Sequence, residues 1–240
     1  MEPGDRPVEG LLLIDKPSGP TSYDCVHHVK RISGQPRVGH CGTLDPLAQG
    51  VLILLLGRAT KQQDAFLGME KQYWFRAQFG ILTDTGDREG KRLQTMGVLP
   101  LESCPLQTVL TGFVGEHGQI PPRYSALKYK GKPYYHWARR GMDIPRVPRP
   151  VQIHSFELLK LDGAFWEARV TCSRGTYIRT LVEEVAQRLG TIATLEALVR
   201  ERVGNYRREA ALSWDRLLTL DREGLRGYCE PNIRTDTRNI

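Results

Sequence analysis

The chain has 240 residues, 25% of them charged and 40% hydrophobic, with 34 lysines and arginines against 27 acids for a net charge of +7. That length and balance suit a globular protein with a sizeable core, no apolar run approaches the roughly 20 residues that span a bilayer, and MEPGDRPVEG lacks the basic and apolar regions of a secretory signal. The five cysteines have no CxxC spacing, and neither His27-His28 nor His40-Cys41 has metal-ligand spacing, which argues against a disulfide framework or a metal site and for a reducing cytoplasm.

In chain order, GLLLIDKPSGP (10–20) reads as a short buried strand closed by a turn. Thr21 then caps a helix, with Asp24 three residues on to reach back as in a capping box. Val26, Val29 and Ile32 keep helical spacing, and Gly34 stops the helix. Val51 to Leu56 predicts a central strand, followed by a helix to about Leu67. KQYWFRAQFGILTDTG (71–86) predicts a strand with a polar turn after it, and Leu101 to Phe113 a helix. Residues 123–149 mix strand and helix signals. In FWEARVTC (165–172) Trp166, Ala168, Val170 and Cys172 share one face at period two, as in a half-buried strand. After SRG the period changes: Ile178, Leu181, Val182, Val185 and Leu189 form a helical stripe ended by Gly190. TLEALVRERVGNY (194–206) returns as a strand or short helix. The polar chain beyond about residue 215 reads as a tail, packed on the surface or partly disordered. Strands and helices mix without repeats or regular βαβ alternation, which points to the α+β class.

The charge is concentrated. Between Pro121 and Pro150 lie Arg123, Lys128, Lys130, Lys132, Arg139, Arg140, Arg146 and Arg149 against Asp143 alone, a net +7 that equals the whole chain's. Tyr124, Tyr129, Tyr134, Tyr135, His136 and Trp137 are interleaved with them. Cations mixed with flat rings suit phosphates and unstacked bases; the same composition also serves a solvated basic face with rings in the core.

Several catalytic templates are absent: the G-x-x-x-x-G-K-[ST] phosphate loop, G-x-G-x-x-G after a strand, H-E-x-x-H and G-x-S-x-G. Asp45 stands out instead. Pro46 restricts it to extended backbone, and Gly39, Gly42 and Gly50 permit close backbone approach, so its carboxylate is fixed just ahead of a buried strand. An Asx-turn or N-cap role fits the same pattern. Arg179 falls in the first turn of the helix after Gly175. With Ile178 opening the buried stripe, Arg179 is expected to point elsewhere, as a surface arginine or as a cation that holds a catalytic carboxylate ionised. Tyr73 alternates with Phe75 on its strand, as a packing residue does.

The motifs GLLLIDKPSGPTS, GHCGTLDPLAQGVL, GRATK, EKQYWF, TDTGD, QIPPRYSALKYKGKPYYHWARRG, PRPV and CSRGTYIRTL follow one another between about residues 9 and 207. In these motifs and their order the chain resembles the TruB family of pseudouridine synthases, relatives of dyskerin. The resemblance implies the pseudouridine synthase fold: a mixed, mainly antiparallel sheet flanked by helices, with a central RNA-binding cleft. It implies isomerisation of uridine to pseudouridine, at uridine 55 of the tRNA T-loop in bacterial members. Asp45 of GTLDP would be the catalytic aspartate, Tyr73 would pack under the target base and help remove the C5 proton, and Arg179 would pair with the aspartate. His40 would contact or replace the flipped nucleotide. Lys16 and Pro17 would lie near the site, with Gly42, Thr43 and Leu44 beside Asp45, Tyr177 and Leu198 lining the pocket, and Lys128 and Lys130 on the RNA.

The implied reaction breaks C1′–N1, turns the uracil and joins C1′ to C5, so it needs neither a redox cofactor nor ATP, and no metal. Attack at C1′, attack on the uracil ring and proton removal from the ribose all require an ionised Asp45. The uridine must leave its stack, which costs a few kcal/mol. The implied partner is the tRNA T-arm, held also by Lys30, Arg31, Arg37, Arg207 and Arg208, with no membrane and no protein partner, by a cytoplasmic monomer. A catalytic domain is expected over 1–210, with 211–240 a short tail and no PUA domain such as many relatives carry. Cys41 and Gln49 stand where threonines are frequent in the family and Arg123 where an apolar residue is common; a thiol at Cys41 suggests sensitivity to alkylation. Two other readings are an RNA chaperone using the same cleft and a guide-RNA synthase of the dyskerin type, the latter disfavoured by the compact motif spacing.

Overall fold

The apolar run Val51–Leu56 becomes a strand with every residue at most 1% exposed, as a run buried on both faces must be. It lies in a computed structural model that describes residues 7–97 and 103–231. The elements, in order, are β1 (Gly10–Lys16), α1 (Ser22–Ser33), β2 (Val38–Cys41), β3 (Gln49–Leu56), α2 (Gln63–Gly68), β4 (Lys71–Phe79), β5 (Ile81–Thr83), β6 (Arg92–Thr95), α3 (Ser103–Thr111), β7 (Gly115–Gln119), β8 (Lys128–Tyr129), β9 (Lys132–Pro133), α4 (Tyr134–Ala138), β10 (Arg149–Asp162), β11 (Phe165–Cys172), α5 (Ile178–Arg188), β12 (Ala193–Val203), β13 (Tyr206–Arg207), β14 (Leu212–Ser213), α6 (Trp214–Leu218) and α7 (Arg222–Gly227). A 3₁₀ turn, Gly57–Gln62, leads into α2. The fold is α+β, with a mixed, mainly antiparallel sheet and helices packed on it.

Two compact units divide the chain: one formed by the segments up to Lys71 and from Val199 onward, the other by Gln72–Leu198. In the first, the strand order is β14-β1-β3-β12. β1 and β3 run antiparallel with Gly10 opposite Leu56 and Lys16 opposite Gly50. The other edge of β3 changes partner along its length: Val199 and Arg200 of β12 run parallel to Gln49 and Gly50, and β2 runs antiparallel to Ile53–Leu56. Leu11, Leu13, Val51, Ile53 and Leu55 pack with Cys41, Phe66 and Val203 in one core cluster. The start of α1 follows its sequence signal: Thr21 Oγ1 accepts from Asp24 N–H, the Asp24 carboxylate accepts from Thr21 N–H, and Gly34 ends the helix at φ 68°.

In the second unit the order is β12-β4-β11-β10-β7. Alternation on β4 puts Tyr73, Phe75, Ala77 and Phe79 inside. Trp166 of β11 meets Phe75 edge-on at 5.1 Å and stacks on Phe79 at 5.6 Å between ring centres, contacts that add to the burial of large rings. α3 lies on β10, where Gln107 Oε1 accepts from the Leu158 N–H beside a bulge. The residues Leu101 and Glu102 of the expected helix lie outside the described residues.

The segment 194–206 resolves as strand throughout Ala193–Val203. The C-terminal segment is more ordered than its weak pattern predicts. β14 pairs with β1, Leu217 and Leu225 are fully buried, and Glu230 exchanges backbone hydrogen bonds with Leu11. Residues 232–240 of the expected tail lie outside the described residues. No described helix is long and apolar enough to cross a membrane.

Candidate active site

Asp45 sits half-buried on the loop 42–48 that joins β2 to β3. Leu44 and Leu47 anchor that loop, being 3% and 2% exposed. Four further ties fix its backbone. Ser22 Oγ accepts from Leu44 N–H at 2.8 Å and donates to Leu44 O at 3.1 Å. The Lys16 ammonium, fully buried, donates to Pro46 O at 3.2 Å, Ala48 O at 2.7 Å and Pro17 O at 2.8 Å. Gly19 N–H donates to Pro46 O at 2.9 Å. Arg200, 1% exposed, donates to Val51 O at 2.7 Å and Gly42 O at 3.1 Å, at the point where β3 changes partner. Buried cations are tolerated when carbonyls satisfy their donors, and these two are used to hold the aspartate's loop. Gly42 at φ +89° makes the exit from β2, and Gly50 at φ +102° has no room for a side chain, since a Cβ there would fall 2.2 Å from Arg200 O.

His40 is half-buried on β2. Its carbonyl accepts from Gln63 Nε2 at 2.9 Å, and its Nδ1 is enclosed without a hydrogen-bond partner among the described residues. Burial, then the positive charge of Arg200, hold its imidazole below the usual range, which favours the neutral ring at pH 7. Cys41 does not bear out the alkylation expected of it. It is fully buried, and burial pushes its thiol up to about 12, so the reactive thiolate is scarce.

The second unit carries Tyr73, Tyr177, Arg179 and Leu198. Arg179, expected to point away from the apolar stripe as a surface arginine or as a fixed cation, is 4% exposed, which excludes the surface role. Its guanidinium donates to Thr85 O at 2.7 Å and Tyr124 O at 2.8 Å, and its Nε lies 3.8 Å from Asp87 Oδ2. Loop carbonyls and a buried acid thus solvate a charge that the apolar periodicity left out. Asp87 is itself fixed, its Oδ1 accepting from Thr85 Oγ1 at 2.7 Å and Glu89 N–H at 3.1 Å. One turn after Arg179, Glu183 packs against Gly86, where a Cβ would meet its Oε1 at 2.7 Å. Burial pushes the Glu183 carboxyl up to about 7, opposed by Arg179 and Arg146 and reinforced by Glu184 and Asp87. Tyr73 is 9% exposed on the inner side of β4, and Leu198 6% exposed on β12. Tyr177 is the N-cap of α5.

Lys128 and Lys130 belong to the β8–β9 hairpin. Lys130 (φ 48°) and Gly131 (φ 78°) occupy its two turn positions, the two left-handed residues of a type I′ turn. Lys128, Lys130, Lys132, Arg139, Arg140 and Arg149 are exposed, while Tyr134 is buried. Arg123 faces Asp143 at 3.8 Å, and Arg146 donates to Pro121 O at 3.2 Å. Among the cations expected to extend this surface, Arg208 is held by Asp15 at 2.9 Å. Among the described residues no group of three or more His, Cys, Asp or Glu side chains is placed to hold a metal.

The expected site residues therefore fall into two sets, His40–Asp45 with Lys16 and Pro17 in one unit, and Tyr73, Tyr177, Arg179 and Leu198 with the basic segment in the other. Sequence reasoning passed over Ser22, Arg200, Asp87, Gln119 and Glu183. An arginine next to the apolar Leu198 and Val199 of a strand (TLEALVRERV) and the TDTGD motif were the available signals. The family model for the TruB family pseudouridylate synthase N-terminal domain matches residues 30–178. The chain belongs to the TruB family. A TruB relative, tRNA pseudouridine synthase B of Endomicrobium trichonymphae, is 43% identical over 196 residues, covering 82% of this chain and 85% of its own. Another of the same name, from Hydrogenovibrio crunogenus, is 40% identical over 214 residues, 89% of this chain and 69% of its own. Among solved structures, a chain of a Cbf5-Nop10-Gar1 complex superposes with a TM-score of 0.72 at 26% identity, over 96% of this TruB chain and 62% of that one.

Proposed function

We propose that the chain is a tRNA pseudouridine synthase that isomerises uridine 55 of the T-loop, with Asp45 as the catalytic carboxylate. The observation that carries the reading is the Asp45 loop, its backbone tied by Ser22, Lys16 and Arg200 in a chain of the TruB family. A carboxylate on so fixed a loop is held in place before substrate arrives, which lowers the cost of reaching the transition state. The C1′–N1 bond breaks, the uracil turns, C1′ joins C5, and the C5 proton is replaced by one on N1. In this reading Asp45 acts on the nucleoside as the base detaches, Tyr73 packs under the ring and helps remove the C5 proton, and Arg179 supplies fixed positive charge to the reaction. His40, Gly42, Thr43, Leu44, Tyr177 and Leu198 contact the everted nucleotide, and Lys16 and Pro17 support the Asp45 loop.

The basic segment 121–150, with Lys128 and Lys130, grips T-arm phosphates, so binding weakens as salt rises. Residues 1–210 form the catalytic part, working as a monomer in the cytoplasm without a protein partner. The test is to incubate an unmodified tRNA transcript with the purified protein, no cofactor added, and map pseudouridine by carbodiimide chemistry. Modification at position 55 by the wild type, and none by Asp45→Asn despite retained tRNA binding, is the expected result. Pseudouridine made by Asp45→Asn overturns the assignment of Asp45, and an inactive wild type overturns the reading itself.

A further inference from the structure

The N-terminus of α5 is capped from outside the helix. Tyr177, its N-cap, offers no capping side chain, and the first turn of any helix leaves N–H groups without partners. Gln119, the last residue of β7 and 1% exposed, fills that role. Its Oε1 accepts from Tyr177 N–H at 2.8 Å, and its Nε2 donates to Tyr177 O at 3.2 Å, a carbonyl that also accepts the first helical bond, from Leu181 N–H. One amide thus grips both polar groups of one backbone residue. Five residues after Gln119, Tyr124 O accepts from the Arg179 guanidinium at 2.8 Å. The segment 119–124 and the start of α5 are therefore cross-linked twice, in opposite directions. The side chain of the first segment holds the backbone of the helix at Tyr177, and the side chain of the helix holds the backbone of the first segment at Tyr124.

We propose that Gln119 is a positioning residue for Arg179, setting the rotation and register of the first turn of α5 and so the place of the guanidinium. The inference rests on the reading above in which Arg179 serves pseudouridine formation. Without the Gln119 amide the helix start is free to fray, and Arg179, two residues in, moves with it. A misplacement of about 1 Å in a reacting constellation costs up to a hundredfold in rate.

The test uses two variants of the full chain on unmodified tRNA. Gln119→Leu fills the same space with neither donor nor acceptor. Gln119→Glu keeps the acceptor but, when ionised, turns an oxygen toward Tyr177 O; when protonated, its O–H donates there as the amide did. The charged and titratable groups around position 119 are Glu184 on α5, whose carboxyl is also within reach of the Gln119 amide, His117 on the same strand, and Arg149 opposite it in β10. All three are present in the wild type as well, so the ratio of each variant's kcat to the wild type's at each pH isolates position 119.

For Gln119→Leu the expectation is a kcat lowered by about tenfold, in line with the Tyr177 N–H losing its Gln119 acceptor while Tyr177 O keeps Leu181 N–H, with KM for tRNA nearly unchanged and this ratio flat in pH. For Gln119→Glu the ratio should climb toward one as pH falls from 8 to 5.5. Amide hydrogen exchange at Tyr177 should quicken in Gln119→Leu, a readout independent of catalysis. A kcat for Gln119→Leu within twofold of wild type, or a Gln119→Glu ratio flat in pH, overturns the proposal while the wild type is active. Inactivity of the wild type itself is the separate failure of the functional reading.

Discussion

Glu183 gives the fold a dependence on pH that one substitution removes. Its carboxyl is half-buried on α5 beside Arg179, and desolvation lifts it from 4.5 to about 7. That is roughly 2.5 units, worth about 3 kcal/mol at 1.36 kcal/mol per unit. The folded state binds this proton more tightly than the unfolded state does. Its contribution is therefore full below about pH 4.5 and is lost as pH rises toward 7, and above 7 the ionised carboxylate is a constant cost. Glu183→Gln keeps the shape and abolishes the titration. Urea unfolding of both proteins at pH 5, 6, 7 and 8 should show the variant gaining on the wild type with each step, by about 2 kcal/mol in all between pH 5 and 8. Other groups titrate in both proteins and cancel in the difference. A stability difference that does not change with pH would refute the placement of Glu183 in a desolvated site.

Three further outcomes follow from the Asp45 loop and the thiols. Ser22→Ala strips the partner from both polar groups of Leu44, at about 1–3 kcal/mol for each buried group left unpaired. Thermal unfolding should shift down, and pseudouridine formation should fall further than tRNA binding; an unshifted melt would refute the tie. Gly50→Ala places a Cβ 2.2 Å from Arg200 O at φ +102°, so it should destabilise more than Ser22→Ala does, and an equally stable Gly50→Ala would show that β3 and β12 can part without cost. Iodoacetamide on the native protein should label Cys104, which is exposed, ahead of the buried Cys25, Cys41, Cys172 and Cys229; early modification of Cys41, found by peptide mapping, would contradict its burial.

Much of the backbone was legible because local chemistry decides it. The Thr21–Asp24 cap, the Gly34 stop and the period-two alternation of 165–172 each need only a few neighbouring residues, and each formed as expected. The Asp45 loop was legible only in part. Asp45, Pro46 and the glycines announce a fixed turn, but what fixes it is distant in sequence: Ser22 reaches Leu44 across 22 positions, Lys16 reaches Ala48 across 32, and Arg200 reaches Gly42 across 158. No local pattern encodes such pairs. The burial of Arg179 was not legible for a related reason. Helical periodicity counts apolar side chains, and a guanidinium solvated by two loop carbonyls is buried without being apolar. The segment after 215 folds into helices of five and six residues, too short to display a period, although Leu217 and Leu225 are its anchors.

The unit that bears Asp45 is discontinuous, assembled from the chain up to Lys71 and from Val199 onward. On the ribosome its first half emerges long before its second. Until Arg200 leaves the exit tunnel, Gly42 O and Val51 O lack their donor, and the leading edge of β3 has no parallel neighbour. Closing contacts of such wide separation is slow, and unpaired strand edges invite aggregation in the interval. The aspartate's loop is therefore among the last parts of the nascent protein to set, and a polypeptide stalled or clipped before residue 200 would carry the GTLDP motif in full without the clamp that aims it.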